Sequence, residues 1–236
     1  MTRIVFVLLL LTGAMTVPGA LIAGTADTAA PDFPEDFDAS TINEGELEFL
    51  ANPPDEPVHT HHNRIFLTPS SLESGWAALY QCHTHLDPVP SAQIVFHPER
   101  IRRLQVEEST GIKSAGVDGA SVQLEAVSPD AKLCISAESR VVVPQPDGGF
   151  LVRNGPFMRS FLDGYYPMHV KLEISLPPGR WTLVRSEPEP QPGFTVLYRH
   201  GKVSVDAWFS GQLNTRFYFE PDRKAVSEQP SDKESE

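Results

Sequence analysis

The sequence predicts an all-β protein, an antiparallel β-sandwich of about ten short strands. Apolar residues recur at every second position through most of residues 59–220, the period of a strand with one face buried. Clusters of Pro, Gly, Asp and Asn break that pattern at short intervals, as turns do. The 236 residues are enough to build a real hydrophobic core, so stability need not rest on the two cysteines. Many short strands with turn signals between them argue a sandwich, with barrel closure as the rival.

The strand candidates, in order, are residues 64–68, 76–84, 92–97, 101–107, 121–127, 132–137, 170–176, 181–185, 194–199, 202–209 and 213–219. The clearest is 170–176, where Val170, Leu172, Ile174 and Leu176 alternate with Lys171, Glu173 and Ser175. His200-Gly201 separates two such runs by two residues, the spacing of a tight hairpin. Pro129-Asp130, Pro146-Asp147-Gly148-Gly149 and Pro177-Pro178-Gly179 read as turns. One short helix is expected near 156–163. Asn154 would cap it, Pro156 sits early, Phe157, Phe161 and Leu162 form a stripe, and Gly164 ends it.

Charge divides the chain. Residues 27–58 hold ten acidic and no basic side chains, whereas residues 59–220 hold 16 acidic and 15 basic ones. The net charge of -12 is therefore concentrated outside a nearly neutral core. Phosphate neutralisation needs a basic footprint, so nucleic acid and anionic membrane surfaces are poor partners. The expected domains are a signal peptide at 1–26, a mostly disordered acidic, Pro-rich leader at 27–57, one sandwich domain at 58–222 and a disordered tail at 223–236. Within the leader, residues 42–50 carry enough apolar side chains for a short strand or turn docked on the core.

The export reading rests on Arg3, the apolar run at 4–11, and small residues Gly24 and Ala26 at the -3 and -1 positions of a cleavage site after Ala26, with cleavage after Ala23 as second choice. The Pro18 and glycine breaks oppose a retained anchor, and no later run is long enough to span a bilayer. A periplasmic or secreted location follows. In that oxidising setting Cys82 and Cys134, 52 positions apart, are expected to form a disulfide, joining the sheets as in immunoglobulin-like folds.

The histidines carry the only chemical constellation. His59 and His61 share one face of an extended segment, as do His83 and His85. Two imidazoles on one face, with Asp87 or a residue from a neighbouring strand, can chelate zinc or copper. The competing reading has the first group in a solvated loop and the second half-buried and hydrogen-bonded. Motifs for serine hydrolysis, nucleotide binding, zinc proteolysis and haem attachment are absent from the sequence. The segment from Phe157 to Tyr166, with Met158, Arg159, Phe161 and Tyr165, reads first as an interior crossover. If exposed, it is the best partner-binding surface in the chain. The expected function is a non-enzymatic exported sandwich that binds a partner or ligand. The alternative is a Cu/Zn-binding envelope protein or metalloenzyme.

Overall fold

The computed structural model describes residues 43–222. The readings of residues 1–26 as a signal peptide, of the leader up to residue 42 and of the tail at 223–236 fall outside the described residues.

Alternation of apolar and polar side chains builds two sheets with facing apolar surfaces. Among the described residues the larger sheet has nine strands. They are β1 (Glu48–Phe49), β2 (Thr60–Phe66), β3 (Trp76–Thr84), β4 (Ser91–Val95), β5 (Ile101–Asp118), β6 (Ser121–Arg140), β11 (Met168–Ser175), β13 (Phe194–Arg199) and β14 (Lys202–Ser210). The smaller sheet holds β7 (Val142–Pro144), β8 (Phe150–Phe157), β12 (Trp181–Glu187) and β15 (Leu213–Pro221), in the order β12-β15-β8-β7. A separate two-stranded arm consists of β9 (Ser160–Phe161) and β10 (Gly164–Tyr165).

The inner face of the large sheet supplies Ile65, Leu79, Val170, Leu172, Ile174, Val203 and Val205. The small sheet answers with Phe150, Val152, Phe217 and Phe219. Phe150 stacks on Phe219 and meets Trp181 edge-on. Aromatic area on this scale dominates core energetics. A second apolar cluster, around Val122, Leu124, Leu133 and Ile135, lies along β6 beneath β4 and Leu86.

Several expectations need correction. Pairing is mostly antiparallel, but β2 and β11 run parallel, with His61 opposite Val170. The anticipated turn at Pro129-Asp130 is instead the interior of β6, which runs 20 residues and pairs with an 18-residue β5 through register shifts. Left-handed Ala126 and Asp130 let the strand bend there without stopping, as bulges do. The predicted helix at 156–163 does not form. Phe157 instead pairs with Leu213 on β15, and residues 160–165 fold into the arm. Ladder hydrogen bonds to a neighbouring strand outweigh a helical stripe only two turns long. Among the described residues the one α-helix is α1 (Pro69–Ser74), closed by left-handed Gly75.

The disulfide does form, but not between sheets. Cys82 and Cys134 face each other on adjacent strands β3 and β6, with Cα atoms 4.1 Å apart. Their side chains belong to the outer face, opposite the core-facing His83 and Leu133. The expected His200-Gly201 hairpin is present, with both residues at positive φ between Arg199 and Lys202. The described part of the 42–50 segment, residues 43–50, docks on the core as expected, since Glu48–Phe49 adds to β14 and Leu50 donates to the Trp208 carbonyl. This docking explains Gly211, left-handed with φ +84 in the turn before β15, where a Cβ would overlap the Glu46 carbonyl.

Candidate functional site

The end of β2 and the end of β3 carry polar residues where the core begins. Along β2 the inward positions are His61, Asn63 and Ile65, and along β3 they are Leu79, Gln81 and His83. The two strands pair with His61 opposite His83 and Asn63 opposite Gln81. The apolar stripe is thus polar over the first two inward residues of β2 and the last two of β3. His59, two residues before His61, lies over the same face and is buried with the others.

The cluster is a bonded network. The Gln81 amide nitrogen is 2.6 Å from His83 Nε2, and His83 Nδ1 is 2.8 Å from His59 Nε2. If the amide donates, His83 Nε2 accepts and its proton sits on Nδ1, which donates to His59. His61 lies alongside, its ring 4.5 Å from that of His83 and edge-on to Phe157 at 5.1 Å. His61 Nε2 and Asn63 Oδ1 are buried without a hydrogen-bond partner. Burial opposes a charge on every ring. It lowers His59 to about 4, although Asp87 nearby pulls the other way. It lowers His61 to about 3, helped by the neighbouring His59, and takes His83 well below its ordinary value. The trio is neutral at neutral pH.

The sequence grouping of histidines is redrawn. His59 and His61 do share a face, and His83 joins them from β3. His85 does not, because β3 ends at Thr84 and His85 turns left-handed (φ 52) into solvent. Asp87 is occupied by Arg159. The guanidinium Nε donates to Asp87 Oδ2 at 2.9 Å, and Nη2 donates to Oδ1. Among the described residues no group of three or more His, Cys, Asp or Glu side chains is arranged to hold a metal ion. Asn63 and Gln81, which complete the network, were not singled out in the sequence. Their signal was polar residues at even spacing on the apolar face of each strand.

The same ion pair braces the arm. Arg159 Nη1 donates to the Pro167 carbonyl at 3.0 Å, and the guanidinium lies over Phe161 and Tyr166 at 5.7 and 5.4 Å. The Tyr166 hydroxyl donates to Asp163, and the Tyr165 backbone N–H donates to the Asn43 carbonyl. This bracing leaves the arm tip in water. Leu162 is fully exposed, and Met158 and Phe161 are 43% and 41% exposed. The interior-crossover reading therefore holds only for Phe157, which is buried against His61.

The fold and site define a two-sheet sandwich with a neutral buried imidazole cluster and an apolar-tipped arm rooted beside it. Comparison with known protein families, curated proteins and solved structures finds no match.

Proposed function

We propose that this is an exported, non-enzymatic β-sandwich that binds a protein partner through the arm. One observation carries the reading: a short arm is held by a bidentate Arg159–Asp87 pair while its Leu162 tip stays in solvent. An apolar side chain displayed on a pre-ordered support suits insertion into a partner's pocket, because little entropy remains to be lost on docking. Asp87 neutralises Arg159, and the remaining charge at the tip is the Asp163 carboxylate, which accepts from the Tyr166 hydroxyl. That favours an apolar pocket on a protein over an anionic surface. Export is supported by the leader sequence and the disulfide. Among the described residues no helix is long and apolar enough to cross a membrane.

A photo-reactive amino acid at position 162, introduced in cells that express the protein, tests the arm. The expected result is one adduct of defined mass, lost on Arg159→Ala and absent from a control at the exposed Val95. Equal labelling at both positions, or none, would defeat the reading. The mature N-terminus, read by mass spectrometry, is expected at residue 27 or 24.

Zinc or copper binding is the second reading, supported by the unpartnered Nε2 of His61 beside two more imidazoles. Against it, His59 and His83 already bond to each other and a metal would have to break that bond. The expected outcome is no change in melting temperature on adding zinc or copper at pH 7.5. Binding at 100 times Kd would instead add about 2.7 kcal/mol, and a rise of that size, lost in His83→Ala, would establish the metal reading.

A further inference from the structure

The outer face of the small sheet gathers arginines without matching acids. On β8 and β15 the side chains of Val152 and Phe217 are buried in the core, so their chain neighbours Arg153 and Arg216 point outward and are exposed. The register sets Arg216 directly opposite Arg153, and Glu187 of β12 directly opposite Arg216. Like charges at opposed positions destabilise a sheet, and Glu187 offsets this pair only in part. Its Oε2 accepts from Arg216 Nη1 at 3.1 Å, while its Oε1 lies 3.2 Å from Arg185 Nη2 and accepts from the Tyr218 hydroxyl at 3.2 Å. One carboxylate therefore serves two guanidiniums before Arg153 is counted. Glu220, also outward on β15, lies four residues beyond Arg216, opposite Thr182.

A further arginine reaches this row from the short turn Pro98–Arg100 that precedes β5. Arg100 is half-buried. Its Nε donates to the Arg140 carbonyl and its Nη2 to the Arg153 carbonyl, both at 3.4 Å. These bonds hold the guanidinium beside β8 and leave its Nη1 without a partner among the described residues. Burial and the Arg153 charge both lower the Arg100 pKa, and no carboxylate acts against them. The Arg153 guanidinium itself has no hydrogen bond or ion pair among the described residues. A half-buried cation beside a second cation costs free energy, and an anion bound between them removes that cost.

The donors converge from β8, β15 and the turn before β5, and that arrangement selects the anion. A carboxylate is planar, and one guanidinium fork fills both its oxygens. A phosphate group is tetrahedral and offers three acceptor oxygens with about two negative charges, one oxygen for each of three guanidiniums. We propose that Arg100, Arg153 and Arg216 form a binding site for a phosphate group, carried by a soluble molecule or by a lipid headgroup. The site is independent of the arm and does not rest on the partner reading.

Calorimetric titration of the full chain with inorganic phosphate and with acetate, at pH 7.5 and constant ionic strength, tests it. Phosphate is expected to bind at least tenfold more tightly than acetate. The Arg153→Gln, Arg216→Gln double variant should bind phosphate at least tenfold more weakly, whereas Lys113→Gln, which removes an exposed charge from β5, should leave the affinity unchanged. Both arginines are exposed and face each other, so the double variant should melt no lower than wild type in phosphate-free buffer, which confirms that it is folded. Phosphate should raise the melting temperature of wild type and not of the variant, because a ligand of the folded state stabilises it. Sedimentation with phosphatidylcholine vesicles, with and without phosphatidate, separates the two sources. Phosphatidate-dependent sedimentation that the double variant loses marks a lipid headgroup, and its absence alongside phosphate binding marks a soluble phosphate. Failure to bind phosphate, acetate binding as tight, or binding indifferent to the double variant would overturn the proposal. Leu162→Ser should leave phosphate affinity unchanged.

Discussion

Lowering the pH from 7.5 to 5 is expected to strip this protein of a large part of its stability. The cause is the trio His59, His61 and His83. In the unfolded chain each imidazole takes up a proton near pH 6.5, whereas in the fold burial keeps them neutral to about 4 for His59 and about 3 for His61. Between those values the unfolded state binds protons that the native state refuses, so stability falls as pH falls. At pH 5 each ring contributes a loss of about 2 kcal/mol, and three rings about 6 kcal/mol, against a typical total of about 5–15 kcal/mol. His62 and His169 shift in the same direction but keep carboxylate neighbours, Glu173 and Asp206, so they add less. The melting temperature should be flat from pH 8 to 7 and drop by roughly 12–24 °C by pH 5. Replacing His61, whose Nε2 is unpartnered, by Leu should recover about a third of the loss. A melting temperature that holds to pH 5 in wild-type protein would show that water reaches the cluster.

Removal of the Cys82–Cys134 bond is the second large effect. Closing a loop of 52 positions restricts the unfolded chain by about 4 kcal/mol in the chain-entropy model. The two residues also face each other on paired strands, so the ladder on either side keeps the native state in place without the bond. The Cys82→Ser, Cys134→Ser variant should therefore fold to the same sheet but melt roughly 8–16 °C lower. Calorimetry of that variant, and of wild type with and without reductant, measures the difference. A drop below about 2 °C would mean that the unfolded chain is already compact. A loss of this size would make a reducing compartment a poor home for the protein, which agrees with the proposed export.

Much of the fold was legible because the strand signal is local. Val170 to Leu176 and the His200-Gly201 hairpin needed only their own alternation and turn chemistry to be recognised. The segment at 156–163 misled because a stripe of Phe157, Phe161 and Leu162 fits a helix as well as it fits a strand end followed by an arm. Its fate depended on Leu213, which offers Phe157 a ladder partner from 56 residues away. The long hairpin of β5 and β6 was read as separate strands because Pro129-Asp130 looks like a turn, and only continuous pairing with β5 carries β6 through it.

The same division holds for the site. His59 and His61 on one face, and Cys82 bonded to Cys134, follow from period two and from the expected oxidising setting. The separation of His83 from His85 does not, because the strand happens to end between them at Thr84. Nor could the sequence show that Asp87 would be taken by Arg159, or that Gln81 and Asn63 would face one another beneath the imidazoles. By itself the sequence determined which residues point the same way along each strand, a property of backbone geometry alone. Tertiary structure decided which strands lie side by side and where each one stops, because those depend on burial and hydrogen bonding between residues far apart in the chain.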